Sequence, residues 1–353
     1  MGRARRPNGG WTYAASGVDR STIAESLGAL LASVRTKPAA GHGVPVAAPG
    51  HYAGLLRIGR ETVAVTTDTV GTKVLLADRL HRWEEVGEDI VGVNVNDLAA
   101  VGARTAGLVD TILCERPDAR VFAAIGRGID RGLRAAHCSL LGGETAVVPE
   151  LVHRFDLGAT AFGFFPQGRR PILGKAIRPG DLILGLPSHG AHANGYTLLR
   201  KIVDQSRAAL DRPRPGERLP FGQELLRPTR IYTEAVDAVA DLPAVHGLAH
   251  VSGGGVRNLV RLHPKVEFVL DRWPPLPSLF AWLQRTGGLS DQELFQTFNV
   301  GVGFILVVAA DDGAAVRRRL ARAGAPDALE IGRVERGSGV VLPQFDLEYR
   351  GYA

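Results

Sequence analysis

The sequence predicts a two-domain protein of the α/β (α+β) class. Three observations carry that expectation. The chain has 353 residues, 45% hydrophobic and 22% charged, which suits two ordinary domains with full cores. Short strand-like apolar runs alternate with segments of helical spacing along most of its length. Between them, residues 169–180 turn polar with proline and glycine, the composition of a domain boundary.

The elements follow in chain order. Residues 1–18 open basic and Gly/Pro-rich (MGRARRPNGGW) and read as a flexible extension; no apolar h-region follows, so they do not form a secretory signal. Ser21 to Val34 has a Ser/Thr start, an early glutamate and helical apolar spacing, and reads as a helix. Residues 36–54 form a long loop rich in Gly, Pro and Ala, a length typical of functional or mobile segments. LLRIG and ETVAVTTD then read as strands. Glu84 to Val101 is helical, TAGLVDTIL a strand, and Ala119 to Ala136 a helix with outward arginines. SLLGGE is a short strand entering a Gly-Gly turn, and DLGATAFGFF another strand.

Beyond the break, DLILGLPS starts a new strand and HANGYTLLRKIVDQS is a turn leading into a helix. Residues 211–222 are a proline-rich loop, and Ile231 to Val239 is helical. HGLAHVSGGG runs into three glycines, VGVGFILVVAA is the clearest buried strand, and Ala314 to Ala323 is a surface helix. The expected division is therefore 1–18 (extension), 19–170 and 171–353, without an internal repeat.

Composition narrows the function classes. The longest apolar run, Val300 to Ala310, is far short of the ~20 residues that span a bilayer, and it holds two glycines. Cys114 and Cys138 are the only cysteines and form no C-x-x-C pair. A disulfide scaffold and a structural zinc site are therefore not expected, and a reducing cytoplasm is. The net charge is +6, with arginines dispersed apart from Arg3, Arg5, Arg6 and Arg317–Arg319. No basic patch interleaved with aromatics is present, so the charge points to small anionic substrates rather than nucleic acid.

The stretch VAVTTDTVGTKV (63–74) combines strand, glycine, hydroxyl and lysine, yet it is no Walker loop, which needs lysine directly after the second glycine. Asp68 instead stands at a strand end, projecting a carboxylate. Asp89 and Asn96, seven apart, share a helix face, with Asp97 beside them. Glu144 follows Gly142-Gly143 at another strand end. Oxygen donors from separated segments suit Mg²⁺ shared with phosphates; the same residue types also serve as caps and turn formers. Lys73 offers a point charge for phosphate. Gly253-Gly254-Gly255 would let backbone N–H groups approach an anion. His192 and Asn194 sit in a tight turn before a helix.

Eight collinear segments resemble the phosphoribosylformylglycinamidine cyclo-ligase (aminoimidazole ribonucleotide synthetase) family. They are YAASGVD (13–19), TDTVGTK (67–73), VNDLAAVGA (95–103), SLLGGETA (139–146), HGAHANGYTLLRKI (189–202), LLRPTRIY (225–232), HVSGGG (250–255) and FNVGVGF (298–304). The resemblance implies two α/β domains, the first dimerising through its sheet, in a cytoplasmic homodimer with no nucleic-acid or membrane partner. It implies ATP-dependent closure of the imidazole ring of formylglycinamidine ribonucleotide: ATP phosphorylates the formyl oxygen, the amidine nitrogen attacks, and phosphate and ADP are released. On the matching positions it places Asp68, Asp89, Asn96 and Asp97 around Mg²⁺ and the phosphates, with Lys73 beside them. Glu144, Thr145, His192 and Asn194 would lie nearer the ribonucleotide. Asp19, the loop before Leu55, Gly253 and Gly254 would border ATP, and the catalytic set would be Asp68, Lys73, Glu144 and His192.

Two departures stand out. Thr69 occupies a position where the family commonly has glycine, and a β-branched residue is a poor tenant of a positive φ. Val147 stands where the family has glutamate. These leave room for a paralogue acting on a related anion, or for a nucleotide-binding protein without turnover. Selenophosphate synthetases and a hydrogenase-maturation dehydratase share the superfamily, but their cysteines, near the N-terminus and at the extreme C-terminus, have no counterpart here. A thiamine-phosphate kinase would not predict HANGYTLLRKI or LLRPTRIY.

Overall fold

The computed structural model describes residues 10–34, 42–46 and 50–351. The expectations for residues 1–9 and for much of the 36–54 loop lie outside the described residues. A first sheet contains β1 (Val44–Pro45), β2 (Gly54–Ile58), β3 (Glu61–Thr69), β4 (Arg104–Cys114), β5 (Ser139–Val147) and β6 (Phe155–Phe164). Its spatial order is β1-β2-β3-β6-β4-β5, antiparallel except where β4 and β5 run parallel. The associated helices are α1 (Arg20–Ser33), α2 (Lys73–Leu80), α3 (Glu84–Ala99) and α4 (Ala119–Ala136).

The alternation along β6 shows how the sheet is covered. Leu157, Ala159 and Ala161 are buried, while Phe162 and Phe164 are about 40% exposed; successive strand residues face opposite sides. The covered side carries α3, whose Leu98 lies beside Gly163. Helices α3 and α4 approach so closely that a Cβ at Gly87 would stand 2.2 Å from Ile125 O, and one at Gly128 1.9 Å from Glu84 O. Glycine is required at this crossing. The opposite side of the sheet is left open.

The second sheet holds β7 (Leu182–Pro187), β8 (Val245–His250), β9 (Val266–Val269), β10 (Val302–Val308), β11 (Leu329–Arg336), β12 (Gly339–Leu342) and β13 (Leu347–Tyr349), in the order β13-β12-β9-β11-β7-β10-β8. Helices α5 (Tyr196–Ser206), α6 (Phe221–Leu225), α7 (Thr233–Asp237), α8 (Ser278–Gly287), α9 (Asp291–Thr297) and α10 (Gly313–Arg322) accompany it. Every residue of β10 is buried, between β7 and β8, as its unbroken apolar run anticipates. Helix α2 and the strands of 329–349 carried no sequence assignment. In LEIGRVER, charged residues interrupt the apolar positions, so the period is weak.

Residues 10–18 differ from the flexible extension expected of them. Trp11 is 3% exposed. Its backbone N–H donates to Gly287 O at 3.0 Å, and its indole Nε1–H donates to Gln205 Oε1 at 2.6 Å. Tyr13 N–H donates to Glu293 Oε1 at 2.9 Å, and Lys201 Nζ donates to Ser16 O at 2.7 Å. This segment is stitched onto the second sheet's helices by an aromatic anchor and these polar contacts.

Candidate active site

The end of β3, the C-terminal half of α3 and the end of β8 meet where the two sheets' layers face each other. Asp68 shares its side of β3 with the buried Ala64 and Thr66, the side α3 covers. Asp97 projects from α3, and its Oδ1 lies 2.8 Å from Nδ1 of His250, the last residue of β8. His250 is fully buried, and its Nε2 has no hydrogen-bond partner. Burial, and after it the negative charge of Asp97, pushes the Asp68 carboxyl up to about 6; the Thr69 N–H and His250 act in the opposite direction. Two carboxylates from one sheet-and-helix layer and an imidazole from the other thus form one cluster.

Of the residues expected around a metal, Asp68 and Asp97 lie in this cluster, whereas Asp89 and Asn96 are engaged elsewhere. Among the described residues no group of three or more His, Cys, Asp or Glu is arranged to hold a metal ion. One oxygen of Asp68 accepts the Thr69 N–H at 2.7 Å and one of Asp97 meets His250; the second oxygen of each has no hydrogen bond to the described residues. Two carboxylates with free oxygens fit Mg²⁺, which commonly takes one or two carboxylates and completes its shell with water and substrate phosphates.

Lys73, Asp89 and Asn96 occupy a different place from the one their sequence pattern suggests. Lys73 is fully buried, its Nζ 2.6 Å from Asp89 Oδ2 and donating to His192 O at 2.8 Å and Arg227 O at 2.9 Å. An ammonium has three donors, and all three are spent. Asp89 Oδ1 accepts from Thr229 N and Oγ1 at 2.8 and 2.7 Å. Burial pushes Lys73 down and Asp89 up, each opposed by the other's charge. Asn96 donates to Arg230 O at 2.8 Å and accepts from Tyr232 N at 2.9 Å. These three residues therefore bind the 227–232 turn to α2 and α3. None faces the cleft with a free polar atom for phosphate or metal, because the turn already uses those atoms.

His192 is corrected in the same way. It is 0% exposed, has φ +57°, and its Nε2 accepts the His189 N–H at 3.2 Å. Burial, followed by nearby His250 and Lys73, holds its pKa well below the usual histidine value. Its ring lies 6.5 Å from that of His250, and its Nδ1 has no partner. It is a neutral buried group beneath the cleft rather than a residue exposed to the substrate. Asn194 is half-buried at the same turn, and its Oδ1 would stand 3.1 Å from a Cβ placed on Gly253.

The triglycine is also used differently from expectation. Gly254 N–H and Gly255 N–H both donate to Ser252 O, at 2.7 and 2.9 Å, so the Gly254 amide is not free for an anion. Gly253 remains as exposed backbone. The strict requirement is at Gly255, which has φ +58° and where an added Cβ would stand only 1.8 Å from Phe295 O. Asp19 is the exposed N-cap of α1, its carboxylate accepting from Ser21 N and from the Ser21 and Thr22 hydroxyls. Those bonds hold its pKa below the ordinary value.

Glu144 and Thr145 are not gathered with Asp68. The pairing Thr69–Gly158–Thr111–Glu144 runs straight across the first sheet, which puts Glu144 about 14 Å from Thr69 at the usual strand spacing. Glu144 shares the open side of the sheet with Thr69, whereas Asp68 lies on the α3 side. Both Glu144 and Thr145 are exposed on the edge strand β5. Near them, a hydroxyl-rich hollow of 180 Å³ is lined by Thr67, Thr69, Thr111, Asp156 and Thr160, and Asp68 also borders it. Thr69 itself sits in strand geometry; the positive φ of this loop falls on Gly71, at +64°.

His250 belongs to the Asp68–Asp97 cluster, and the sequence pattern did not single it out. Its signal was available: it ends the strand-like HGLAH, shortly before the glycine turn at Gly253, a strand-end position like the one that marked Asp68.

Comparison with known proteins adds a second line of information. Residues 50–165 match the family model described as AIR synthase related protein, N-terminal domain, and residues 178–343 match its C-terminal domain. The phosphoribosylformylglycinamidine cyclo-ligase of Methanosarcina barkeri is 42% identical over 306 residues, spanning 86% of this chain and 90% of the relative. That of Thermococcus kodakarensis is 38% identical over 340 residues, spanning 96% and 99%. Among solved structures, the protein tt0281 from Thermus thermophilus has a TM-score of 0.64 at 23% identity, covering 92% of this chain and 97% of that one. Thiamine monophosphate kinase from Aquifex aeolicus has a TM-score of 0.60 at 18% identity, covering 93% and 99%. At those identities the structural likeness speaks to the fold alone.

Proposed function

Because the chain belongs to the AIR synthase related protein family, we propose that the Asp68–Asp97–His250 cluster is the phosphate-handling centre of a phosphoribosylformylglycinamidine cyclo-ligase. The activity is ATP-dependent cyclisation of formylglycinamidine ribonucleotide to 5-aminoimidazole ribonucleotide in purine biosynthesis, with release of ADP and phosphate. The observation that carries the site assignment is the pair of carboxylates with unspent oxygens, brought together by α3, β3 and β8.

Asp68 and Asp97 would hold Mg²⁺, which when bound offsets phosphate charge during phosphoryl transfer. His250 fixes the Asp97 carboxylate through its Nδ1. The Lys73–Asp89 pair, Asn96 and Thr229 keep the 227–232 turn rigid, so that groups on the two layers hold a constant separation. Phosphoryl transfer depends chiefly on such positioning. Asn194 and the exposed Gly253 backbone border the same cleft and would contact the ribonucleotide.

The open side of the first sheet supports a homodimer. Ile58, Leu141, Phe162 and Phe164 are between 39 and 61% exposed there, and such an apolar face is characteristic of a protein interface. Glu144, Thr145 and the threonine-lined hollow would then lie beside the contact, as a part of the substrate site completed by pairing. Two free cysteines and the absence, among the described residues, of a helix able to cross a membrane accord with work in the cytoplasm. The ordinary strand backbone at Thr69 answers one of the two departures that left room for a different substrate; Val147 is the other.

The test is direct. Purified protein supplied with ATP, Mg²⁺ and formylglycinamidine ribonucleotide is expected to yield equimolar ADP and aminoimidazole ribonucleotide by mass spectrometry. Tight ATP binding with no imidazole product would overturn the reading.

A further inference from the structure

A second cavity lies in the first domain, on the α3–α4 side of the sheet and separate from the cleft. It measures 630 Å³ and is lined by residues of four segments: Asp78, His81 and Trp83 after α2, Arg116, Asp118, Arg120 and Phe122 around the start of α4, Cys114 at the end of β4, and Arg154 before β6. None of Asp68, Asp97, Asn194 or His250 contributes to it. A neighbouring hollow of 560 Å³ shares His81, Trp83 and Arg120 and is also lined by Glu84 and Glu85, which pair with Arg127, Arg131 and Arg82. These volumes are typical of small-molecule sites, about 300–1,000 Å³.

The charges in the groove are unbalanced. Asp78 is already engaged, by Arg154 Nε at 3.2 Å and Trp83 Nε1 at 3.4 Å. Asp118 is spent capping α4, accepting from Arg120 N and Val121 N. Glu115 nearby pairs with His153 and accepts the Arg154 N–H. Arg116 and Arg120 are solvent-exposed at the cavity's rim, and their guanidinium groups have no ion pair or hydrogen bond among the described residues. The rings of His81 and Trp83 lie 5.4 Å apart, and Phe122 lines the same cavity.

The positive φ of His81, +53°, belongs to its place as the C-cap of α2, where its N–H reaches Ala77 O and Asp78 O. Aromatic faces beside uncompensated guanidinium groups recognise a flat ring joined to a phosphate: the ring stacks and the arginines take the anion in bidentate fashion.

We propose that this groove binds a nucleoside monophosphate, its base against Trp83 and His81 and its phosphate on Arg116 and Arg120. It is an effector site distinct from the cleft. Helix α2 joins the two places, with Lys73 at its cleft end and Asp78 near its groove end.

The experiment is isothermal titration of AMP into full-length protein saturated with Mg²⁺ and the non-hydrolysable analogue AMP-PCP, which occupies the cleft. A single AMP site per chain is expected to remain under saturation. Its affinity should fall about tenfold in Arg116→Ala, about tenfold in Arg120→Ala, and about tenfold in Trp83→Leu. Cyclisation without AMP should be unchanged in all three variants, which also shows that they fold. Displacement of AMP by AMP-PCP, or AMP affinity indifferent to the arginine variants, would overturn the proposal. Loss of turnover in the wild type would count against the cyclo-ligase reading and leave this test standing, because the arginine variants report only on the groove.

Discussion

Lys73 and Asp89 form an ion pair without solvent access: Nζ lies 2.6 Å from Oδ2, and both side chains are 0% exposed. The pair also reaches across the layers, since Lys73 holds the carbonyls of His192 and Arg227 and Asp89 holds Thr229. A lysine that resembles a phosphate ligand in sequence is here the fastening of the cleft's floor.

Removing one partner leaves an uncompensated buried charge, which typically costs about 3–5 kcal/mol. Lys73→Met and Asp89→Leu should each unfold at markedly lower denaturant concentration than the wild type. The double variant should lose clearly less than the sum of the two. Denaturant melts of the three variants check this, and strict additivity would mean that the pair is not coupled.

Burial, and after it the charge of Asp97, raises the Asp68 pKa to about 6 in the folded chain. A carboxyl raised on folding carries no penalty below its unfolded pKa, near 3.8, and its full penalty above about pH 6. In metal-free buffer, Asp68→Asn should therefore be more stable than the wild type at pH 7.5, by on the order of 1–3 kcal/mol. The advantage should shrink to nothing by about pH 4. Thermal melts at both pH values measure it. The same variant should have no detectable turnover.

His250 orients Asp97 through a 2.8 Å contact. Residues that orient a metal-binding carboxylate commonly change metal affinity by about 10–100-fold when replaced. His250→Phe, which keeps the ring volume beside Phe304, should weaken Mg²⁺ binding at least tenfold in a calorimetric titration with ATP present. Unchanged Mg²⁺ affinity with altered melting temperature would reduce His250 to a packing residue.

The exposed Phe162 and Phe164 sit on the open side of the first sheet. Placing a charge in the centre of an apolar interface leaves it desolvated and unpaired. Phe162→Glu is expected to give a monomer in size-exclusion chromatography with light scattering, against a wild-type dimer. A wild-type monomer at micromolar concentration would remove the sheet-pairing proposal.

Much of the architecture was written into local pattern. The period-2 alternation of ETVAVTTD, the unbroken apolar run of β10 and the 18-residue α4 each follow from short-range spacing and capping, which a single sequence displays directly. The strand-end logic that marked Asp68 also holds, and it would have marked His250.

Tertiary structure alone decided which polar residues face the cleft. Lys73 and His192 look like ligands because they are polar and close to glycine-containing turns, and Asp89 and Asn96 because they are polar and share a helix face. Whether a polar atom is free depends on the partners that arrive from distant parts of the chain, such as Thr229, Tyr232 and the Arg227 carbonyl. The separation of Glu144 from Asp68 depends likewise on strand order, β3-β6-β4-β5, which no local spacing records. The sequence by itself determined the family, the chemistry of the residues on offer and those elements whose period is strong, such as β3, α3, α4 and β10. Burial and long-range hydrogen bonding determined that Asp68 and Asp97 keep free oxygens while their neighbours became framework.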